Sequence, residues 1–381
     1  MSLPNNVEKL FDGKFKPLLK RLNSFFRHKK GKGSSQLKEV WISLGAVLVV
    51  VGIIGLVVLA TVNKVAPEET PVVIEQLAPE VALVLRHPLT GKVLETELDT
   101  LPQVFGTMVE NSADAWPLSG LDEAFFVIEA PVEANIPRFI VFSSVEDDIA
   151  KIGPVRSARP YYLDWNDALD AVYGHVGGSF EALDLIKFTY NTIDLNQFFH
   201  GNSYYRQLTN GRYAPHNVFT STKMLKDALP GLNLDAPKYE FWKFKDDTGA
   251  TGNKSVKVDF ADGATHDVVW NFDQSGNTYV RDQGSRKMVL ENGNQIEANN
   301  VAVIATDIKI FDAEGRKHMV TVGSGDAMLL QDGEVKLVRW VKETRTGRLY
   351  FTDTNNEEIR MNPGKTWIEV VSSVSQARVI D

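Results

Sequence analysis

The chain of 381 residues contains no cysteine. That absence excludes disulfides, thiolate metal sites, a cysteine nucleophile and a lipid anchor on cysteine. It leaves the compartment open, because a protein outside the cytoplasm can fold without disulfides. Other signatures are missing as well. The histidines after residue 80 (His87, His175, His200, His216, His266 and His318) show no H-x-x-x-H spacing, so no metal site is expected. GGSFE at 177–181 has Glu181 where G-x-S-x-G needs its last glycine, which argues against serine-hydrolase chemistry. GSGD at 323–326 lacks the frame of a phosphate-binding Walker loop, and no dinucleotide fingerprint occurs. The sequence therefore predicts no cofactor and no metal.

One stretch lacks charge altogether. Residues 40–62 read VWISLGAVLVVVGIIGLVVLATV between Glu39 and Lys64. As a helix this run is about 34 Å long, enough to span a hydrocarbon core of ~30 Å. It exceeds the apolar core of a cleaved signal peptide, so it predicts a single uncleaved transmembrane helix. Residues 1–38 hold ten basic and two acidic residues, a charge of +8; the chain totals −8, which leaves −16 for residues 39–381. The positive-inside rule puts the basic tail in the cytoplasm and the acidic body outside the membrane. Because the span accounts for the basic tail, no nucleic-acid partner is expected.

The rest of the chain divides by pattern. Residues 63–80 form an acidic, proline-rich stalk. Residues 81–238 mix short apolar runs (Val81–Leu85, Val104–Val109, Phe125–Ala130, Phe139–Ser143) with three helical segments. Pro160 opens one, through Tyr161–Val172; Ser179 caps the second; Ser221 or Thr222 caps the third. This predicts an α/β ectodomain, a mixed sheet with packed helices. Residues 239–381 alternate strand-like stretches such as Val301–Ile310, Leu337–Val341 and Trp367–Val371 with turn pairs such as Asp332-Gly333, and predict a mainly-β domain.

Several runs occur in a fixed order: HPLTG at 87–91, MVENSADAWPLSGLDEAFFVIEAPVEANIPRFIVFSS at 108–144, IGPVRSARPYYLD at 152–164, HVGGSFEALDLI at 175–186 and APHNVFTS at 214–221. With GRKHMVTVGSGDAMLLQDGEVKLVRWVKE at 315–343 and MNPGKTWIEVV at 361–371, they resemble the YerB-like bacterial envelope family, a two-domain family of unknown function. The resemblance covers about 85–381. It implies the architecture and an extracytoplasmic place, and no established reaction. Typical members resemble lipoproteins held by a lipidated cysteine; this chain has none and offers the 40–62 run instead.

Within these motifs, Arg156 and Arg159 flank Ser157-Ala158 between two prolines, and guanidinium forks suit phosphate or carboxylate oxygens. Gly177, Gly178 and Ser179 open a helix, where free backbone N–H groups seat an anion, and His175 offers a further donor. With His216 and Asn217 of APHNVF at the rim, these residues form the predicted ligand site. Its meeting in space is not fixed by sequence. Glu129 and Glu133 are the candidate acid–base carboxylates; Glu129 could equally end a strand and pair with Arg138 or Arg156. Tyr161, Tyr162, Trp165 and Tyr173 are core residues or an aromatic platform for sugars. The expected role is a membrane-anchored envelope protein binding an anionic glycan or glycan-lipid, such as a cell-wall polymer or a polyprenyl phosphate. The alternatives are a wall enzyme, glycan-phosphotransferase-like or glycan-cleaving, and a module that docks a wall enzyme.

Overall fold

Strand follows strand with few helices between them. The structure, a computed structural model, describes residues 84–209, 211–232, 234–260 and 264–380. The basic tail, the apolar run 40–62 and the stalk lie outside these residues. Among the described residues, no helix is long and apolar enough to cross a membrane.

The first half supplies β1 (Val104–Glu110), β2 (Phe126–Pro131), β3 (Pro137–Ser144), β4 (Val172–His175), β5 (Ile193–Asn196), β6 (Tyr205–Arg206) and β7 (Val218–Phe219). Next come β8 (Ser255–Val258), β9 (Val268–Asp273), β10 (Thr278–Gln283), β11 (Arg286–Lys287), β12 (Glu297–Ala298) and β13 (Asn300–Ala305). The chain ends with β14 (Ile308–Ile310), β15 (Lys317–Met319), β16 (Gly323–Gln331), β17 (Glu334–Lys342), β18 (Tyr350–Thr352), β19 (Thr366–Val371) and β20 (Ala377–Ile380). The helices are α1 (Pro160–Asp167), α2 (Phe180–Phe188) and α3 (Thr222–Ala228).

Ten strands form one sheet in the order β18-β17-β16-β13-β19-β2-β3-β1-β4-β5. Residues on both sides of the 238/239 boundary therefore share a sheet. The joint is β19, which runs parallel to β13 on one side and to β2 on the other. At the far end β1, β4 and β5 are mutually parallel. The segment 81–238 holds the helices, as expected for an α/β region, and residues 255–380 contribute strands and short 3-10 turns.

Side chains alternate across this sheet as strand geometry requires. Phe105, Val109, Val127, Val141 and Trp367 face a smaller antiparallel sheet, β11-β10-β9-β8-β20, and pack on its Val256, Trp270 and Tyr279. Trp270 meets Trp367 edge-on at 5.4 Å. Val104, Met108, Ile128, Ile140 and Ile368 face the other way, onto α1 and the Tyr239–Phe244 segment. Tyr161, Tyr162, Trp165 and Tyr173 are all buried in that second core, so they are not a sugar platform. Two of their hydroxyls find backbone partners: Tyr161 donates to Pro131 O at 3.0 Å and Tyr162 to Arg138 O at 2.7 Å.

Local signals account for most element ends. Ser179 Oγ accepts from the Ala182 N–H at 3.3 Å, and Ser221 Oγ from the Met224 N–H at 3.2 Å, capping α2 and α3. Asp332 and Gly333 both take positive φ, 57° and 75°, the mirror-image turn that matches hairpin twist between β16 and β17. Three expectations fail. Helix α1 stops at Asp167 instead of reaching Val172: Asp170 turns to φ 50° and β-branched Val172 joins β4 beside β1. No strand forms at Val84-Leu85, because the chain turns back at once, with Arg86 bridging Val93 and the Gly91 N–H bonding His87 O at 2.9 Å. The Val301–Ile310 stretch breaks after Thr306: its N–H makes the last bond to β19, to Val371 O at 2.9 Å, and residues 308–310 then pair with β15, so β13 and β14 are separate.

Candidate functional site

Because β1, β4 and β5 are parallel, their carboxyl ends lie along one edge of the sheet, where open α/β folds place ligands. Glu110 ends β1, His175 ends β4 and Asn196 ends β5. The Pro-bounded arginine turn threads past the same edge. The Arg156 N–H bonds Met108 O at 2.9 Å and the Val155 N–H bonds Val218 O at 2.6 Å. The turn is also stitched to the glycine segment, through Ala158 N–H to Gly177 O at 2.9 Å and Ser179 N–H to Ala158 O at 3.2 Å. The two motifs of the predicted ligand site therefore meet.

Two N–H groups of the predicted anion seat are already committed. The Ser179 N–H is taken by Ala158 O, and the Gly177 N–H bonds Asn196 Oδ1 at 3.1 Å. The glycines also serve close approach. Gly177 has φ 58°, and a Cβ there would lie 2.9 Å from the Phe198 ring; one on Gly178 would sit 3.1 Å from the Ala158 methyl. His175 is sealed beneath the segment, with Nδ1 2.7 Å from Gly177 O and Nε2 2.8 Å from Asp194 Oδ1, so it braces two strand ends and does not reach a ligand.

Arg159 is also committed. Its Nε and Nη2 donate to the two oxygens of Glu133 at 2.6 and 2.7 Å, and Nη1 donates to Ala158 O at 2.7 Å. Burial works to raise the Glu133 carboxyl, but the hydrogen bonds and charge of Arg159 outweigh it and hold the group below its ordinary value. A carboxylate so held is a poor general acid. Glu129 is fully buried, with Oε1 accepting from Asn111 Nδ2 at 3.0 Å and Oε2 from Arg281 Nη2 at 2.7 Å. Its partner is Arg281, not Arg138 or Arg156. Arg138 instead holds the arginine turn, donating to Ser157 O at 2.7 Å.

What the edge does contain is a cleft of about 920 Å³. Val176, Leu183, Ile186, Phe198, Phe199 and Val218 give it mainly apolar walls. Arg156, Lys187 and Arg206 are its cations, and Asp194 and Asn196 its other prominent polar side chains. Arg156 is oriented by Glu110, whose Oε2 lies 3.4 Å from Nε, and by Pro215 O at 3.4 Å from Nη1. Arg206 donates to Asn217 Oδ1 at 3.0 Å. Among the described residues neither Lys187 nor Arg206 has a carboxylate partner, and Asp194 is engaged by His175.

Behind this wall His216 joins Glu110 and Ser112, two residues that composition and spacing did not flag. Buried Glu110 accepts at Oε2 from Ser112 Oγ and from His216 Nδ1, both at 2.8 Å. His216 thus ties the 205–217 loop to the end of β1. Of the predicted ligand residues, Arg156, Gly177 and Gly178 line the cleft; Asn217 and His216 support its wall; Arg159, His175 and Ser179 do not line it. Sequence reasoning missed Lys187, Arg206, Phe198 and Phe199. The adjacent phenylalanines at 198–199, in a polar loop, were the signal available.

The N-terminal domain model of a protein of unknown function (DUF3048) matches residues 89–235, and the corresponding C-terminal domain model matches 256–368. A Bacillus subtilis (strain 168) protein named "Putative lipoprotein YerB" is 29% identical over 311 residues, spanning 79% of this chain and 90% of that protein. A crystal structure of YerB from Bacillus subtilis superposes with a TM-score of 0.70 at 27% identity, covering 78% of this chain and 100% of the crystallised one. With both domain models matched in order over most of residues 84–381, and the fold shared with YerB, the chain belongs to the two-domain YerB-like (DUF3048) family of unknown function.

Proposed function

We propose that the protein is tethered to the outer face of the cytoplasmic membrane and binds an anionic glycan-lipid, or the polyprenyl phosphate that carries one, in the cleft at the ends of β1, β4 and β5. The observation that carries this is the pairing of apolar walls with Arg156, Lys187 and Arg206 in one cleft on an otherwise acidic body. Apolar walls suit an alkyl or isoprenoid chain, while guanidinium and ammonium groups suit a phosphate. A bare polysaccharide would leave the phenylalanine and isoleucine walls unused. The uncharged run 40–62 and a relative named as a lipoprotein support the tether.

The test is equilibrium binding of a fluorescent short-chain polyprenyl phosphate to the full chain in nanodiscs, with the matching alcohol as competitor. The phosphate binds, the alcohol competes weakly, and Arg156→Ala together with Arg206→Ala weakens binding about tenfold, ~1.4 kcal/mol. Equal binding of alcohol and phosphate, or double-variant affinity equal to wild type, refutes the assignment.

A second reading, that the site also turns a substrate over, is favoured by one contact. Glu110 holds His216 through Nδ1, the arrangement that leaves Nε2 to act as a general base. Its test is release of phosphate or glycan from the bound lipid, lost in His216→Gln with binding retained; no turnover by wild-type protein ends this reading.

A further inference from the structure

Exposed aromatic side chains cluster on α2 and on the loop after β5, two segments that supply walls of this cleft. Phe180, Phe188, Phe198 and Phe199 are 76%, 71%, 68% and 79% exposed, and Leu208 and Tyr213 are exposed on the 205–217 loop. Phe198 and Phe199 line the cleft itself, Phe188 lies 4.8 Å from the Lys187 ammonium, and Tyr213 precedes the wall residues Ala214 and Pro215. Four largely exposed phenylalanines in about twenty residues are a cost in water that a monomer does not ordinarily carry in one stretch. They are interleaved with Lys187 and Arg206, which no described carboxylate neutralises.

We infer that this rim is a membrane-contacting surface, which lets Phe188, Phe198, Phe199 and Tyr213 enter the interface of an anionic bilayer while Lys187 and Arg206 meet lipid phosphates. The combination of phenylalanines with basic residues is the composition of segments that lie in a lipid interface. Two such cationic rims repel one another, which disfavours pairing of two copies rim to rim, whereas the phosphates of an anionic bilayer complement Lys187 and Arg206. The sequence also keeps the body within reach: residues 63–83 extend to about 70 Å at most beyond the uncharged run. The inference rests on the tethered, lipid-binding reading above and adds where the ligand comes from. A cleft whose rim sits in the interface receives an amphiphile directly from the leaflet, without its chain crossing water.

The chain's lack of cysteine makes the test clean. Gly201 is exposed beside Phe198 and Phe199, and a Cβ there meets nothing within 4 Å, so Gly201→Cys carries a bimane label without removing an anchor. Leu337→Cys on β17 is the reference, eight strands away across the sheet, about 38 Å. In nanodiscs of phosphatidylglycerol with brominated acyl chains, the label at 201 is quenched several-fold more than the label at 337. That difference falls at least twofold in brominated phosphatidylcholine, with Lys187→Glu plus Arg206→Glu, and with Phe198→Ser plus Phe199→Ser. Equal quenching at the two positions overturns the inference, as does shielding at 201 by a protein partner without lipid quenching. No ligand is added, so polyprenyl phosphate binding that persists beside a water-exposed rim refutes the docking surface and leaves the cleft assignment standing.

Discussion

Glu129 and Glu369 face each other in register on the adjacent parallel strands β2 and β19, and both carboxyl groups are fully buried. They project between the two sheets. Arg281 from β10 reaches Glu129 at 2.7 Å, and the Trp270 indole N–H reaches Glu369 Oε1 at 2.7 Å. One arginine cannot offset two adjacent carboxylates in a dry interior. Burial, and then the charge of Glu129, push Glu369 well above the ordinary glutamate value. The pair is a polar seam inside an apolar core.

That seam gives a pH dependence with a fixed sign. A carboxyl whose folded value is raised keeps its proton in the fold and loses it on unfolding. The stability it supports is full below the ordinary value of 4.5 and falls as pH climbs toward the raised one. Glu369→Gln, which resembles the protonated acid, removes this loss. Thermal melts should show the variant's midpoint gaining on wild type from acid to neutral pH; a constant gap would mean that Glu369 is ionised in the fold.

Removing the cation should be far worse than removing the acid. Arg281→Ala strands Glu129 as an uncompensated buried charge, a loss of about 3–5 kcal/mol. Adding Glu129→Gln should restore part of it. Urea unfolding of the two single variants and the double reads the coupling, and strict additivity would show that the two groups do not depend on one another.

Arg159 separates fold from site. Its two bonds to Glu133 are charge-assisted and partly buried, so Arg159→Ala should cost about 1.5–3 kcal/mol of stability, yet leave binding in the cleft as it was. Arg156→Ala should do the reverse. Parallel urea titrations and ligand titrations decide this, and weakened binding in folded Arg159→Ala protein would return that residue to the site.

Gly177→Ala places a methyl 2.9 Å from the Phe198 ring at φ 58°. The left-handed backbone costs about 1–2 kcal/mol for any residue with a Cβ, and Phe198 must yield. Ligand affinity should fall along with stability. A variant that loses stability and keeps full affinity would mean that Phe198 contributes nothing to the cleft.

Much of the fold was legible because local chemistry and period agreed. Pro160, Ser179 and Ser221 marked helix starts, Asp332-Gly333 marked a hairpin, and WIEVV and VFGTMVE marked buried strands. The motif order located the site edge, and the arginine and glycine segments do pack together there. The chemistry of individual residues was less legible, since a side chain's role depends on which partner tertiary structure brings to it. Arg159 and Arg156 read alike in sequence; Glu133 claims one, and the other remains at the cleft. Glu129 looked like a candidate acid because nothing local announced Arg281, 152 residues away. The boundary near 238 marks a change of sequence character, but pairing of parallel strands across it leaves no local trace, which is why the shared sheet was not foreseen.

The place of β19 bears on how the molecule is made. Until residues 366–371 emerge, β2 and β13 each present an unpaired edge, and the halves of the large sheet have nothing to join them. In synthesis from the amino end, this closing piece follows all nine of the strands it unites. A product truncated before Thr366 would carry two open, hydrophobic sheet edges, a form suited to aggregation or to recognition by proteases. Joining of the two halves of the large sheet thus waits on a single late segment.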